Sequence, residues 1–508
     1  MAIHTAEPAS VATGSGTPGA GTDPPTTRSG GTIATAAGAP ARRYLRKRRE
    51  GGYDPAAVAV RLAASGLFDE SVVYERDGRW WFAGGAVAAV TIHRDTVRAW
   101  TGEAGEAGEA DEGRTVSGLP ESPVRSVAWT GSPARAIDVL LAELPIEDWR
   151  LYGRLDHELA FAVAGLPLSG DADRELGRLT VPRVEVGVDE RSLTVRALNA
   201  ADLDRVLSAA LGAGDEAPAA APRPVDVEDA EPGPYLAAVA ATVDRIRAGE
   251  LEKVILSRRV AVPYDVDFPA TYLRGRRANT PARSFLLDLP GLRAAGFSPQ
   301  TVVEVDADGS ITTRPLAGTC PRGDDPAFDA RRRAALLGDA KEVYEHAVSV
   351  RVADAELRAL CEPDSVAIDA FMVVEERGSV HHIASRVSGR LDARHGPWDA
   401  LVALFPAVTV SGVPKADAYP VIAEYEATPR GLYAGAVVRA THTGELDAAL
   451  ALRMVHTQDG GTWLRAGAGI VRDSRPVREY RETCHELATV APHVVPSSDT
   501  PEPELPAA

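Results

Sequence analysis

Between residues 234 and 495, strand-like runs follow one another with hairpin-like connections, and this most constrains the fold. Apolar, β-branched stretches recur at 254–262, 284–289, 301–305, 368–374, 433–440, 446–455 and 463–471. Helical spacing is confined to fewer places: 235–248 (Leu236, Val239, Val243, Ile246), a long stretch over 329–360, and one over 477–490. Strands joined this way pair antiparallel and bury one face under helices, so the pattern predicts an α+β fold of large antiparallel sheets with packed helices. No Gly-x-Gly-x-x-Gly follows a strand and no Gly-x-x-x-x-Gly-Lys-Ser/Thr occurs, so neither a dinucleotide-binding unit nor a P-loop is supported.

Composition breaks divide the chain. Residues 1–52 are predicted to be a disordered extension, because the Ala, Gly, Thr, Ser and Pro of the first forty cannot bury enough surface to offset their ordering entropy. The basic cluster Arg42, Arg43, Arg46, Lys47, Arg48, Arg49 that ends it reads as a solvated helix or tail. Residues 53–212 form the N-terminal part of the fold, with a hairpin of 71–75 and 79–83 around Asp77-Gly78 and a mobile acidic loop at 102–124. A linker at 213–233 precedes the core at 234–495, and 496–508 is a disordered tail. The net charge of −17 argues against nucleic acid as a partner, since phosphate neutralisation needs clustered Lys and Arg. Three cysteines fit a reducing, cytoplasmic compartment. There is no apolar run long enough for a membrane span, and no basic start with an apolar stretch that would mark a secretory signal. A small-molecule substrate and a monomer are expected.

The chemistry-bearing residues cluster in the core. Glu342 and Glu345 stand at i, i+3, and Glu479, Glu482 and Glu486 at i, i+3, i+7, so each set shares a helix face. Two such faces opposed would suit Mg²⁺, which takes a few carboxylates together with waters and a substrate anion; a solvated acidic face is the alternative from spacing alone. Lys253 opens an apolar strand, where it is either a base activated by desolvation or an edge lysine reaching solvent. Arg453 interrupts an apolar run and suits either a substrate carboxylate or a structural ion pair. Gly467-Ala-Gly469 at a strand end allows close backbone approach to a ligand, or simply a tight turn. The His381-His382 pair is a weak metal signal.

At these residues the chain resembles the chorismate-binding enzymes. The matching segments include Lys253-Val-Ile-Leu-Ser-Arg258, Arg314-Pro-Leu-Ala-Gly-Thr319, Lys341-Glu-Val-Tyr-Glu-His346, Phe405-Pro-Ala-Val-Thr-Val-Ser-Gly412, Pro429-Arg-Gly-Leu-Tyr433, Arg465-Ala-Gly-Ala-Gly469 and Arg478-Glu-Tyr-Arg-Glu-Thr483, in family order over about 235–495. Arg283-Ser-Phe-Leu-Leu287 and Asp447-Ala-Ala-Leu450 are most similar to the salicylate synthases, which residues 53–212 also resemble more weakly. The resemblance implies one large α+β domain with two big sheets and the site in the cleft between them.

It further implies Mg²⁺ held by Glu345 and Glu482, with Glu479 acting through water and Glu342 orienting the cluster. Lys253 would be the base that activates water. Tyr433, Arg453 and the Gly467 backbone would bind substrate carboxylates, Gly318 and Thr319 would line the ring pocket, and His382 would meet the substrate's polar edge. Thr409 is similar to salicylate synthases, and Ala317 stands where aminodeoxychorismate synthases carry a nucleophilic lysine. Two positions depart from the family pattern: Gln300 replaces the glutamate that serves as general acid, and Glu486 replaces a lysine. The implied activity is conversion of chorismate to isochorismate and then to salicylate plus pyruvate, for a siderophore or related aryl-capped metabolite. The departures leave open a diverged member with another substrate or with pyruvate elimination alone, and a non-catalytic binding relative.

Overall fold

A computed structural model describes residues 41–498, apart from 103–124, 169, 172, 213–220, 229–231, 323–324, 378–379 and 459. The expected disorder of 1–40 and of 499–508 and the acidic loop at 103–124 therefore lie outside the described residues.

Two long strands organise the molecule. Arg79–Ile92 and Gly177–Val188 pair along their length, and from them one continuous sheet of the described residues extends as two arms, called here the first and second sheets. The first part of Arg79–Ile92 also pairs with Ser71–Arg76, its second part with Thr96–Thr101. Gly177–Val188 pairs with Arg150–Leu155 near its start and with Ser192–Ala197 near its end. The register slips between Ala86 and Ala88, next to Gly85 at φ +64°. An extra residue in one strand bends it, and glycine adopts that φ without a Cβ penalty, so the ribbon can turn from one sheet into the other.

Both sheets then run into the C-terminal part. Ser71–Arg76 pairs with Arg283–Leu289, followed in order by Leu292–Ser298, Met454–Gln458, Gly461–Ile470, Lys253–Ala261 and the short Gly412–Val413. Arg150–Leu155 pairs with Ala436–Thr441, followed by Leu446–Leu450, Thr301–Val305, Ser310–Thr313, Val380–Arg390 and Ala367–Arg377, with Leu316–Pro321 also on Val380–Arg390. Every strand pairing among the described residues is antiparallel, as the hairpin-like connections predict. The N-terminal part thus supplies strands to both sheets. No helix of the described residues is long and apolar enough to cross a membrane.

Several local expectations are corrected. The basic cluster is neither helix nor tail: Leu45–Glu50 is a strand beside Ser192–Ala197, and Arg43, Arg46 and Lys47 meet Glu147, Asp148 and Asp204 at the surface. Those acids lie about a hundred or more positions away in sequence, so the cluster alone could not reveal the pairing. The 213–233 linker is not wholly loose, because Val225 is buried and its amide bonds to the Ala491 carbonyl. Pro496 forms a β-bridge with Val266 and the Ser497 amide bonds to the Asp265 carbonyl, so the start of the expected tail is held against the core. The helix expected over 329–360 is two, Pro326–Gly338 and Ala340–Leu360. Asp339 separates them in extended backbone, and its side chain accepts from the amides of Lys341 and Glu342. A carboxylate at this position satisfies orphan donors and complements the positive end of the helix. The strand expected over 446–455 is broken between Leu446–Leu450 and Met454–Gln458, where Arg453 takes φ +49°.

Candidate active site

Strands of both sheets and two helices line a partly open cleft whose walls include Gln300, Gly318, Thr319, Glu345, His382, Thr409, Tyr433, Gly467, Glu482 and Glu486. Lys253 meets Glu345, Arg453 meets His382, and Glu342 and Glu479 share Lys341 with Glu345 and Glu482. Lys253 and Gly467 come from the first sheet, Arg453 from the break just before its Met454–Gln458 strand, and Thr319 and His382 from the second. The Ala340–Leu360 helix brings Glu342 and Glu345, and the Pro476–Leu487 helix brings Glu479, Glu482 and Glu486. Residues spread over more than 230 positions therefore meet because strands on opposite sheets face each other across the cleft.

Lys253 is fully buried, and its Nζ lies 3.0 Å from Glu345 Oε1 and 3.1 Å from Ser349 Oγ. Burial alone would raise the Glu345 carboxyl pKa, but Lys253 and Lys341 override it and hold the value near 2. Gly469 is required beside it, since a Cβ there would stand 1.9 Å from Glu345 Oε1. Glycine at this position lets the helix carboxylate reach the strand.

Lys341 is the residue that sequence reasoning left without a role. Its Nζ lies 3.3 Å from Glu342, 3.2 Å from Glu345, 3.2 Å from Glu479 and 3.8 Å from Glu482. Burial would lower its pKa, yet Glu345, Glu482, Glu479 and Glu342 outweigh burial and keep it well above the usual lysine range. Its position four residues before Glu345 was the available signal. Arg478 Nη2 adds a 2.7 Å contact to Glu342 from the outer side. Glu482 is pushed well above the ordinary carboxylate range, by burial first and then, despite Lys341, by Glu342, Glu479 and Glu345. Glu342 Oε2 and Glu479 Oε1 are buried without a hydrogen-bond partner. Surplus carboxylates and orphaned oxygens suit an oxygen-seeking divalent cation. Among the described residues, however, no three such side chains already converge as a ready-made cation site.

At the other end, the Thr409 hydroxyl donates to Gln300 Oε1 at 3.1 Å, leaving the Gln300 amide N–H groups as its remaining donors. His382 Nε2 accepts from Arg453 Nη2, and its Nδ1 lies 3.1 Å from the Thr319 hydroxyl. Burial, then Arg453, pushes the His382 pKa well below the usual imidazole value, so the ring is neutral and carries its proton on Nδ1. Arg453 makes this contact from the chain break where its φ is +49°. His381 turns away and pairs with Asp329 at 2.8 Å.

Residues 95–492 match the family of chorismate binding enzymes. The chain belongs to that family. Among curated relatives, this chorismate-binding chain is 38% identical to the salicylate synthase of Mycolicibacterium paratuberculosis over 87% of its own length and 94% of the relative's. It is 36% identical to anthranilate synthase component 1 of Haloferax volcanii over 66% of its length and 64% of that protein's. The fold is also that of anthranilate synthase component I from Streptococcus pneumoniae (TM-score 0.64, 24% identity, 82% of this chain and 92% of that one). A menaquinone-specific isochorismate synthase from Escherichia coli gives a TM-score of 0.64 at 19% identity, covering 90% of this chain and 96% of that one.

Glu486 sets a pH dependence in the cleft. Burial raises its pKa above 4.5, with Arg453 opposing and Glu345 adding to the rise. A proton held more tightly in the folded chain stabilises it fully below the unfolded pKa, and that contribution is lost as pH rises through the folded value. The chain is therefore expected to lose stability relative to Glu486→Gln as pH climbs from about 4.5. Urea midpoints of both proteins across that range check this; a wild-type midpoint that rises relative to Glu486→Gln as pH climbs would contradict it.

Proposed function

We propose that this chain is a Mg²⁺-dependent salicylate-synthase-like enzyme acting on chorismate. The observation that carries the reading is Lys253, buried at the cavity between Glu345 and Ser349 on the strand facing the carboxylate cluster. The 38% identity to a salicylate synthase across 94% of that protein supports the choice within the family.

In this reading the neutral form of Lys253 takes a proton from water as its oxygen adds at C2, the ring double bonds shift, and the C4 hydroxyl leaves as hydroxide that solvent protonates. Isochorismate then loses pyruvate by an intramolecular hydrogen transfer, a step that needs the substrate held in a reactive conformer more than it needs an acid or base. Arg453, fixed by His382, and Tyr433 beside Gly467 supply the polar contacts for substrate carboxylates. Glu345 and Glu482, with Glu479 and Glu342, would hold the cation. Its chemistry there is to neutralise the substrate's anionic charge against the carboxylates.

A second reading has its own support. Gln300, bonded to Thr409, is a neutral amide and has no acid proton for the leaving hydroxyl. This favours an enzyme that performs only the pyruvate elimination from isochorismate.

Incubation with chorismate or isochorismate and Mg²⁺, followed by chromatography of products, separates the two. Salicylate from chorismate supports the first reading, and pyruvate from isochorismate alone supports the second. Glu345→Ala or Glu482→Ala is expected to reduce either activity by roughly 100-fold or more, beyond the 10–100-fold typical of losing an outer-shell partner. Full turnover by the unmodified chain in EDTA would count against the cation's role.

A further inference from the structure

We propose that Lys341 is the resident counter-cation of the carboxylate cluster, and that a divalent cation enters by displacing its ammonium. The inference rests on reading Glu342, Glu345, Glu479 and Glu482 as the cation-binding group.

The Lys341 ammonium is the shared partner of carboxylates from two helices, at 3.2 Å from Glu345 and Glu479, 3.3 Å from Glu342 and 3.8 Å from Glu482. It stands at their centre. A Mg²⁺ ion needs oxygens at about 2.0–2.1 Å in near-octahedral array. An ammonium already 3.2–3.8 Å from oxygens of the same four carboxylates cannot stay there, because two cations would then share one cage without solvent between them. The cage is also incomplete around the lysine: Glu342 Oε2 and Glu479 Oε1 remain buried without a hydrogen-bond partner. An ammonium has only three protons to offer, too few for this set of oxygens.

Lysine suits a displaceable counter-ion. Its charge sits on a flexible four-carbon stem, whereas arginine's planar fork holds a fixed geometry. Lys341 also lies in the first turn of its helix, two residues after the capping Asp339, so the stem starts at the end of the element rather than within it. The outer Arg478 keeps Glu342 in place through a 2.7 Å contact and is half exposed, so one carboxylate stays anchored while the centre changes occupant. The lysine thereby keeps buried carboxylates from repelling one another when no metal is bound, and in doing so weakens metal binding.

The test is direct binding of Mn²⁺ to the full chain, without substrate, followed by electron paramagnetic resonance at one fixed pH. Wild type, Lys341→Met, Lys341→Gln, Lys341→Arg and Glu345→Ala are compared. Removing the competing charge should tighten Mn²⁺ binding by roughly tenfold or more in Lys341→Met and Lys341→Gln, while Lys341→Arg should not tighten it. Thermal unfolding gives a second readout that serves even if one variant is poorly folded. Metal-free Lys341→Gln should melt below wild type and gain more from added Mg²⁺ than wild type does. Glu345→Ala should lose the bound Mn²⁺, which places the signal in the cluster. Wild-type binding that weakens or is unchanged in both neutral variants overturns the displacement and makes Lys341 a residue that merely positions carboxylates. Failure of every protein to bind Mn²⁺ overturns the cation-site reading itself.

Discussion

Lys253→Gln is expected to abolish formation of isochorismate from chorismate while leaving pyruvate release from supplied isochorismate largely intact. Only the first step requires a proton to be taken from water, and a positioned base typically contributes about 10²–10⁴-fold to such a step. The structure sharpens the choice of substitution. Lys253 is buried against Glu345 at 3.0 Å and Ser349 at 3.1 Å, so alanine would leave a cavity and an uncompensated carboxylate. Glutamine keeps a donor for Glu345 while removing both the basicity and the positive charge, and Lys341 remains beside the carboxylate. Initial rates of both steps, measured separately with saturating Mg²⁺, check the result. Equal loss of the two would make Lys253 a substrate-binding or structural residue.

Gln300→Glu combined with Glu486→Lys is expected to raise chorismate turnover by more than the two single substitutions together. Gln300→Glu restores a carboxyl that can protonate the leaving hydroxyl, worth about 10²–10⁴-fold for general acid catalysis. Alone, it adds a negative charge to a cavity already lined by Glu345, Glu482 and Glu486. Glu486→Lys changes the local charge by two units beside an anionic substrate, and one charge contact at 4 Å in an effective dielectric near 20 is about 4 kcal/mol. Alone, it leaves the C4 hydroxyl without its acid. Groups lining one cavity couple, so the double change should be non-additive in free energy. Rates of salicylate and isochorismate formation by all four proteins decide it. A slower double variant would mean that the cleft is built around Gln300 and Glu486 rather than damaged by them.

The α+β class was legible because local pattern carries it: short apolar runs with tight connections can pair only antiparallel, and the long helical spacings stand apart from them. The acidic faces were legible too, since i, i+3 and i, i+7 spacing places Glu342 with Glu345 and Glu479 with Glu486 regardless of what surrounds them. The ordered residues of the Lys253, Thr319, Tyr433 and Gly467 segments carried the family resemblance, because the chain preserves residue types in sequence order. Sequence alone left each of these groups with a bland alternative, for periodicity says which residues share a face and nothing about what that face meets.

Tertiary structure decided the rest. Whether Glu345 is a solvated acid or a buried one depends on the Lys253 strand crossing beside it and on Gly469 leaving room. Lys341 reads locally as a helix-surface lysine, yet the distant Pro476–Leu487 helix closes over it and makes it the centre of the cluster. The kink at Arg453 and the Asp339 break interrupt runs that look continuous, because the contacts that require them, His382 on the opposite sheet and the amides of the following helix turn, are invisible to hydropathy. The basic 42–49 segment became a strand by the same logic, its partner strand lying some 150 residues away. Backbone propensity acts over a few residues. The electrostatics of this cleft are set by which charges, remote in sequence, are forced to share a space from which water is largely excluded.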